Sequence, residues 1–192
     1  MYALASTCYP NTVIAVGVPH VPSDLLEYLT LGRERITDQD PEYAIRQLSE
    51  VAARALSPGT NDPVTTMDIL DRFGDALCAL QDRWWPSGVH ADESDKVRLV
   101  RPTVDFDGVA HTMFEMVRQY GSSSPEVTLH LLKVLQITAT CLRSEESLQV
   151  LREHVQAAYH DAHKALTNPR DLHRLERAYH GALRAMETGL PK

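Results

Sequence analysis

The stretch Leu31–Pro63, LGRERITDQDPEYAIRQLSEVAARALSPGTNDP, sets the terms for the whole chain. It holds two Asp-Pro pairs, Asp40-Pro41 and Asp62-Pro63, each with the chemistry of a helix start. The carboxylate accepts from the orphan N–H groups of a first turn, and proline is already set to helical φ at the first position. Between the pairs, Ala44, Ile45, Leu48, Val51, Ala52 and Ala55 recur at helical spacing and mark an apolar face. Arg46, Glu50 and Arg54 line another face at i, i+4, the habit of a solvated surface. The alanines predict close approach to a neighbouring helix. Ser57-Pro58-Gly59 stops the first helix, and six residues later the second begins, so the stretch reads as an αα-hairpin.

Downstream the same punctuation repeats. Met67, Leu70, Phe73, Gly74, Leu77, Cys78 and Trp84 give the second helix its core face, up to Pro86-Ser87-Gly88. Phe106, Val109, Ala110, Met113, Val117 and Tyr120 build a third, closed by Gly121. Ser124-Pro125 caps a fourth with Val127, Leu131, Val134, Leu135, Thr138 and Leu142. Ser144 caps a fifth with Leu148, Leu151, Val155, Tyr159, Ala162 and Leu166. Asn168-Pro169 starts a sixth with Leu172, Leu175, Tyr179, Ala182 and Met186, ending at Gly189. Six substantial helices with short turns predict a mainly α fold, a six-helix bundle or up-down array.

Strand signals are sparse. Residues 12–18, TVIAVGV, read as a short N-terminal strand or arm, and residues 23–30 as a short helix capped by Ser23. KVRLV, after the polar loop HADESDK, alternates well enough for one further strand that would pair with residues 12–18. The expected organisation is an arm and short helix over 1–30 and a helical domain over 31–192, together one domain.

Composition narrows the classes. With 192 residues, 43% hydrophobic and 23% charged, the chain is long enough and apolar enough for a substantial core. A formal charge of −7 argues against nucleic acid as a partner, since that footprint is basic. Residues 1–23 contain no Asp, Glu, Lys or Arg, yet Pro10, Pro19 and Pro22 would interrupt a spanning helix, and a basic leader region is missing. Cys8, Cys78 and Cys141 are odd in number, without a CxxC, which fits a reducing, cytoplasmic setting. Cys78 and Cys141 fall on apolar faces, where a cysteine acts as a small buried hydrophobe.

Three places could carry chemistry. Arg33, Arg35, Asp38, Gln39 and Asp40 lie just before a helix start, where two guanidiniums would hold a phosphate or carboxylate, or the aspartates a divalent cation. The plainer reading makes Asp40 a cap and pairs Asp38 with an arginine. The turn Ser57–Pro63 offers Ser57, Thr60, Asn61 and Asp62 as polar ligands, or simply a relaxed turn with Asp62 as cap. A straight helix over 41–56 would part these two places by about 24 Å, at 1.5 Å per residue. Only a fold-back or a symmetric dimer would join them. His160 and His163 share a helical face at i, i+3, a spacing that can share a metal, with His154 on the same helix and His173 and His180 on the next. A solvated histidine face is the competing reading. No G-x-S-x-G elbow, P-loop or dinucleotide fingerprint occurs, no nucleophile with an adjacent base can be named, and the sequence requires no cofactor.

The segment Leu31–Asp71 resembles the shared segment of a bacterial family of predicted membrane proteins, domain-of-unknown-function family 2254. The ALSP-x-x-NDP run from Ala55 to Pro63 is its specific part, supported by Gly32-Arg33-x-Arg35 and Gln39-Asp40, with looser similarity through about Arg184. The resemblance implies a soluble domain that in relatives follows transmembrane helices, with Arg33, Arg35, Gln39, Asp40, Ser57, Asn61, Asp62 and Thr65 belonging to the family's common design. It supplies no activity. The expectation is a non-enzymatic interaction or regulatory module, a homodimer with a possible membrane-protein partner; the alternative is an anion- or metal-binding domain, an enzyme among its forms, built on the Arg33–Asp40 and Ser57–Asp62 elements.

Overall fold

The computed structural model describes residues 41–188 apart from 84, 86, 101 and 102. Within them the chain forms six α-helices and one two-stranded antiparallel sheet: α1 (Pro41–Ala55), α2 (Pro63–Leu80), β1 (Val89–Ala91), β2 (Val97–Val100), α3 (Phe106–Gly121), α4 (Pro125–Cys141), α5 (Glu145–Ala165) and α6 (Pro169–Thr188). The expected mainly α class and its six helices are present. The arm over 12–18, the short helix over 23–30 and Trp84 lie outside the described residues. Two compact units divide the chain, one holding Ile45–Trp85 with the helices from Val104 onward, the other the hairpin within Pro86–Thr103.

Helix starts follow the local chemistry. Asp62 accepts from the N–H groups of Val64 and Thr65, Asp105 from Gly108, Ser144 from Ser147, and Asn168 Oδ1 from Arg170. Each satisfies a first-turn donor that the helix cannot. Ser124 differs from expectation: its hydroxyl makes no cap hydrogen bond, and Pro125 sets the start of α4 instead.

The core is organised around α4, which packs against α2, α3, α5 and α6. Val127, Thr128, Leu131, Leu132, Val134, Leu135, Thr138 and Ala139 bury most of its circumference, the mark of a central helix rather than a surface one. Phe73 and Phe114, ring centroids 6.2 Å apart, fill the centre edge to face. Gly74 lets α2 approach: a Cβ there would lie 2.8 Å from Val134 Cγ1.

Three expected faces are corrected. On α1, Leu48 and Val51 are 43% and 46% exposed, whereas Ser49, Ala52, Ala53 and Ala55 are buried. The small residues win because they admit close contact. Ser49 Oγ donates to Thr112 O at 2.7 Å, and Thr66 Oγ1 donates to Ala52 O at 3.0 Å. On α3, Tyr120 is exposed and Phe114 is the buried aromatic. The last turn presents Gly121 inward, against Val127, which leaves Tyr120 outside. Cys141 ends α4 exposed, while Leu142 turns into the core.

The hairpin is local. β2 pairs with β1 through Val89↔Val100, His90↔Leu99 and Ala91↔Val97, with an irregularity between His90 and Ala91. VHA was not legible as a strand, being short and followed by the polar loop. Asp92 builds the turn: Oδ1 accepts from Ser94 N and Lys96 N, and Oδ2 from Arg98 Nε at 2.7 Å. Those bonds, Arg98 first, hold its carboxyl below the usual range. Any pairing with residues 12–18 lies outside the described residues.

Candidate functional site

The α1–α2 turn is where the densest polar run of the sequence meets described structure. Ser57 N donates to Arg54 O, Thr60 N and Asn61 N both donate to Ser57 O, and Asp62 N reaches back to Ala55 O at 2.8 Å. Asn61 takes the left-handed conformation, φ 47°, which asparagine tolerates better than most side chains. Ser57 Oγ donates to Thr60 Oγ1 at 3.3 Å. Asp62 then uses both oxygens on the helix it starts: Oδ1 on the two backbone N–H groups, Oδ2 on Thr65 Oγ1 at 2.6 Å. The Thr65 hydroxyl and N–H, followed by the Val64 N–H, hold the Asp62 carboxyl below the ordinary carboxylate range.

Ser57, Asn61, Asp62 and Thr65 are therefore brought together, as a self-contained turn and cap. The other half of the expected set, Arg33, Arg35, Gln39 and Asp40, lies outside the described residues. His160 and His163 both sit exposed on α5, and His163 lies 5.4 Å from the Tyr159 ring. Tyr159 in turn stacks on Tyr179 of α6 at 4.2 Å, with His180 beside Tyr179. Among the described residues no group of three or more His, Cys, Asp or Glu side chains is arranged to hold a metal ion.

The structure adds a polar cluster that the sequence did not signal. Along the α3–α5 seam, Arg118, only 15% exposed, bonds Glu115 at 2.5 Å and pairs with Asp161 of α5. Burial pushes the Glu115 carboxyl up, but the hydrogen bonds from Arg118 and Gln119 outweigh it and its pKa is lowered. His154 of α5 is buried with its ring 5.6 Å from Phe114. Desolvation, and next the charge of His111, keep His154 neutral below its usual titration range, against the opposing pull of Glu115 and Asp107. The only local hint was the Glu115–Arg118 spacing, common to any solvated helix face.

The comparisons with known proteins agree with the early resemblance. The predicted-membrane-protein family DUF2254 matches residues 6–137, and the chain belongs to that family. Uncharacterized proteins of Mycobacterium bovis and of two strains of Mycobacterium tuberculosis are each 32% identical over 127 residues, which is 65% of this chain and 24% of theirs. The chain thus spans about a quarter of the length of the curated relatives it matches. No solved structure matches it. Among the described residues, no helix is long and apolar enough to cross a membrane.

Proposed function

We propose that this helical unit is a non-enzymatic interaction module that self-associates through α1, and that in its relatives it stands beside the membrane. The exposed apolar residues Leu48 and Val51, one turn apart on α1, carry the reading. Small residues on the same helix already satisfy the packing toward Thr112 and Thr66, so these two larger side chains are left for another surface. A second copy of the chain offers the same apolar pair, as a two-fold interface requires. The Ser57–Thr65 turn supports the non-enzymatic side of the proposal, because its carboxylate and hydroxyls bond one another and the α2 backbone.

Sedimentation velocity of the wild-type chain and of Leu48→Glu/Val51→Glu tests it. A dimer that becomes monomeric in the variant, with an unchanged far-ultraviolet helical spectrum, is the expected result. A wild-type monomer at all concentrations would overturn it. Thermal shifts against phosphate, carboxylates and divalent cations address the alternative: a ligand-dependent rise that Asp62→Asn abolishes would favour an anion- or metal-binding domain.

A further inference from the structure

α2 and α4 run side by side in the same direction, and their contacts keep register. Asp71 meets His130 at 2.8 Å, the Gly74 backbone meets Val134 and Thr138, and Gln81 Oε1 accepts from Arg143 N at 2.8 Å. Cys78 falls between the second and third of these contacts and Cys141 opposite it. Both thiols line one cleft of about 470 Å³ at the C-terminal ends of the two helices, with Gln81, Asp82 and Arg143. Arg143 Nη1 reaches Asp82 at 3.4 Å across the same cleft. Gln81 and Asp82 therefore tie the end of α2 to Arg143, just past the end of α4.

We propose that Cys78 and Cys141 form an oxidation site, closing to an intramolecular disulfide between α2 and α4 when the protein meets a hydroperoxide. The two thiols line the same cleft from facing helices and are near enough for each to bear on the other's charge. Their environments divide the work. Cys78 is half-buried; burial first, then the hydrogen bond and charge of Cys141, push its thiol up to about 12. Cys78 is therefore the less readily ionised of the two thiols. Cys141 is exposed, its Sγ 3.9 Å from Ile137 O, and is the thiol that an oxidant can reach.

The Cys141 thiolate attacks one oxygen of the hydroperoxide. The O–O bond breaks, the departing oxyanion takes from solvent the proton that the thiol released on ionising and leaves as water or alcohol, and Cys141 becomes a sulfenic acid. The Cys78 sulfur then attacks Cys141 Sγ and the S–O bond breaks. The hydroxide so released takes the Cys78 proton and leaves as water. Two thiols give up two electrons to form one disulfide, and the hydroperoxide accepts those two.

The full-length Cys8→Ser chain, treated with hydrogen peroxide at low protein concentration and then alkylated under denaturing conditions, reports the outcome by mass. The expected result is a monomer that has lost two hydrogens, with the peptides of Cys78 and Cys141 linked and released by dithiothreitol. Adding Cys78→Ser should leave a Cys141 sulfenic acid that dimedone traps, and adding Cys141→Ser should leave Cys78 a thiol. Without oxidant, maleimide should label Cys141 at least about tenfold faster than Cys78. Disulfide-linked dimers through Cys141, sulfinic acid at Cys141 beside an unmodified Cys78, or equal labelling rates would each overturn the assignment.

Discussion

Two polar clusters sit in the helical unit, and they were built in opposite ways. The Ser57–Thr65 turn is dense with polar residues in the sequence, yet nearly every bond it makes ends within ten residues of its start. The α3–α5 seam looks unremarkable in the sequence, yet Arg118, Glu115, His154 and Asp161 meet there across two helices with little access to water. The contrast teaches that polar density along a chain marks where helices begin, whereas partial burial of charge is what tertiary packing creates. In the turn, exposed bonds compete with water at small net gain. In the seam, each charge depends on its partner, because a buried ion left unpaired retains its desolvation cost.

Breaking the seam should therefore cost most. Arg118→Met keeps the aliphatic stem but leaves Glu115 and Asp161 as acids without their cation. Removing one partner of a fully buried pair costs 3–5 kcal/mol, and the partial exposure here reduces that to about 2 kcal/mol. The midpoint of urea unfolding, at unchanged slope, measures it. A loss as small as that of an exposed i, i+3 pair would place the seam with ordinary surface charge.

His154 sharpens the contrast through pH. Its folded-state pKa lies below the ordinary value of 6.5, so below pH 6.5 the unfolded chain binds more protons than the folded one. Its contribution to stability is complete above pH 6.5 and is lost as pH falls from there through the lower folded value. For one proton the slope cannot exceed about 1.4 kcal/mol per pH unit. Melting curves between pH 5 and 8 should show the decline on acidification, and His154→Phe should flatten it. An unchanged profile in that variant would remove His154 from the seam's account.

The smallest effect belongs to the turn. Asp62→Ala removes the acceptor of the Val64 and Thr65 N–H groups and of the Thr65 hydroxyl. A fall in melting temperature of roughly 2–4 °C is expected, the effect of one lost cap in a chain of this size. A much larger fall would show that the turn does more than start α2.

What the sequence determined by itself was the sequence of helices. Asp62, Ser144 and Asn168 act on backbone donors two or three residues away, and proline fixes φ from within its own ring, so no distant contact is needed to read them. The buried faces of α4 were legible for a related reason: enough apolar residues surround that helix that any orientation buries most of them. The Ser57–Asp62 half of the candidate site was legible too, as a turn and cap. Tertiary structure decided the rest. It turned the alanine face of α1 inward and left Leu48 and Val51 out, because Ser49 and Ala52 allow the close contacts that larger side chains forbid. It paired Arg118 with Asp161 and set Cys78 opposite Cys141, each pair remote in sequence and joined only by how α3 meets α5 and α2 meets α4. Local chemistry starts and stops helices, but the register between helices depends on the shapes of all their side chains at once.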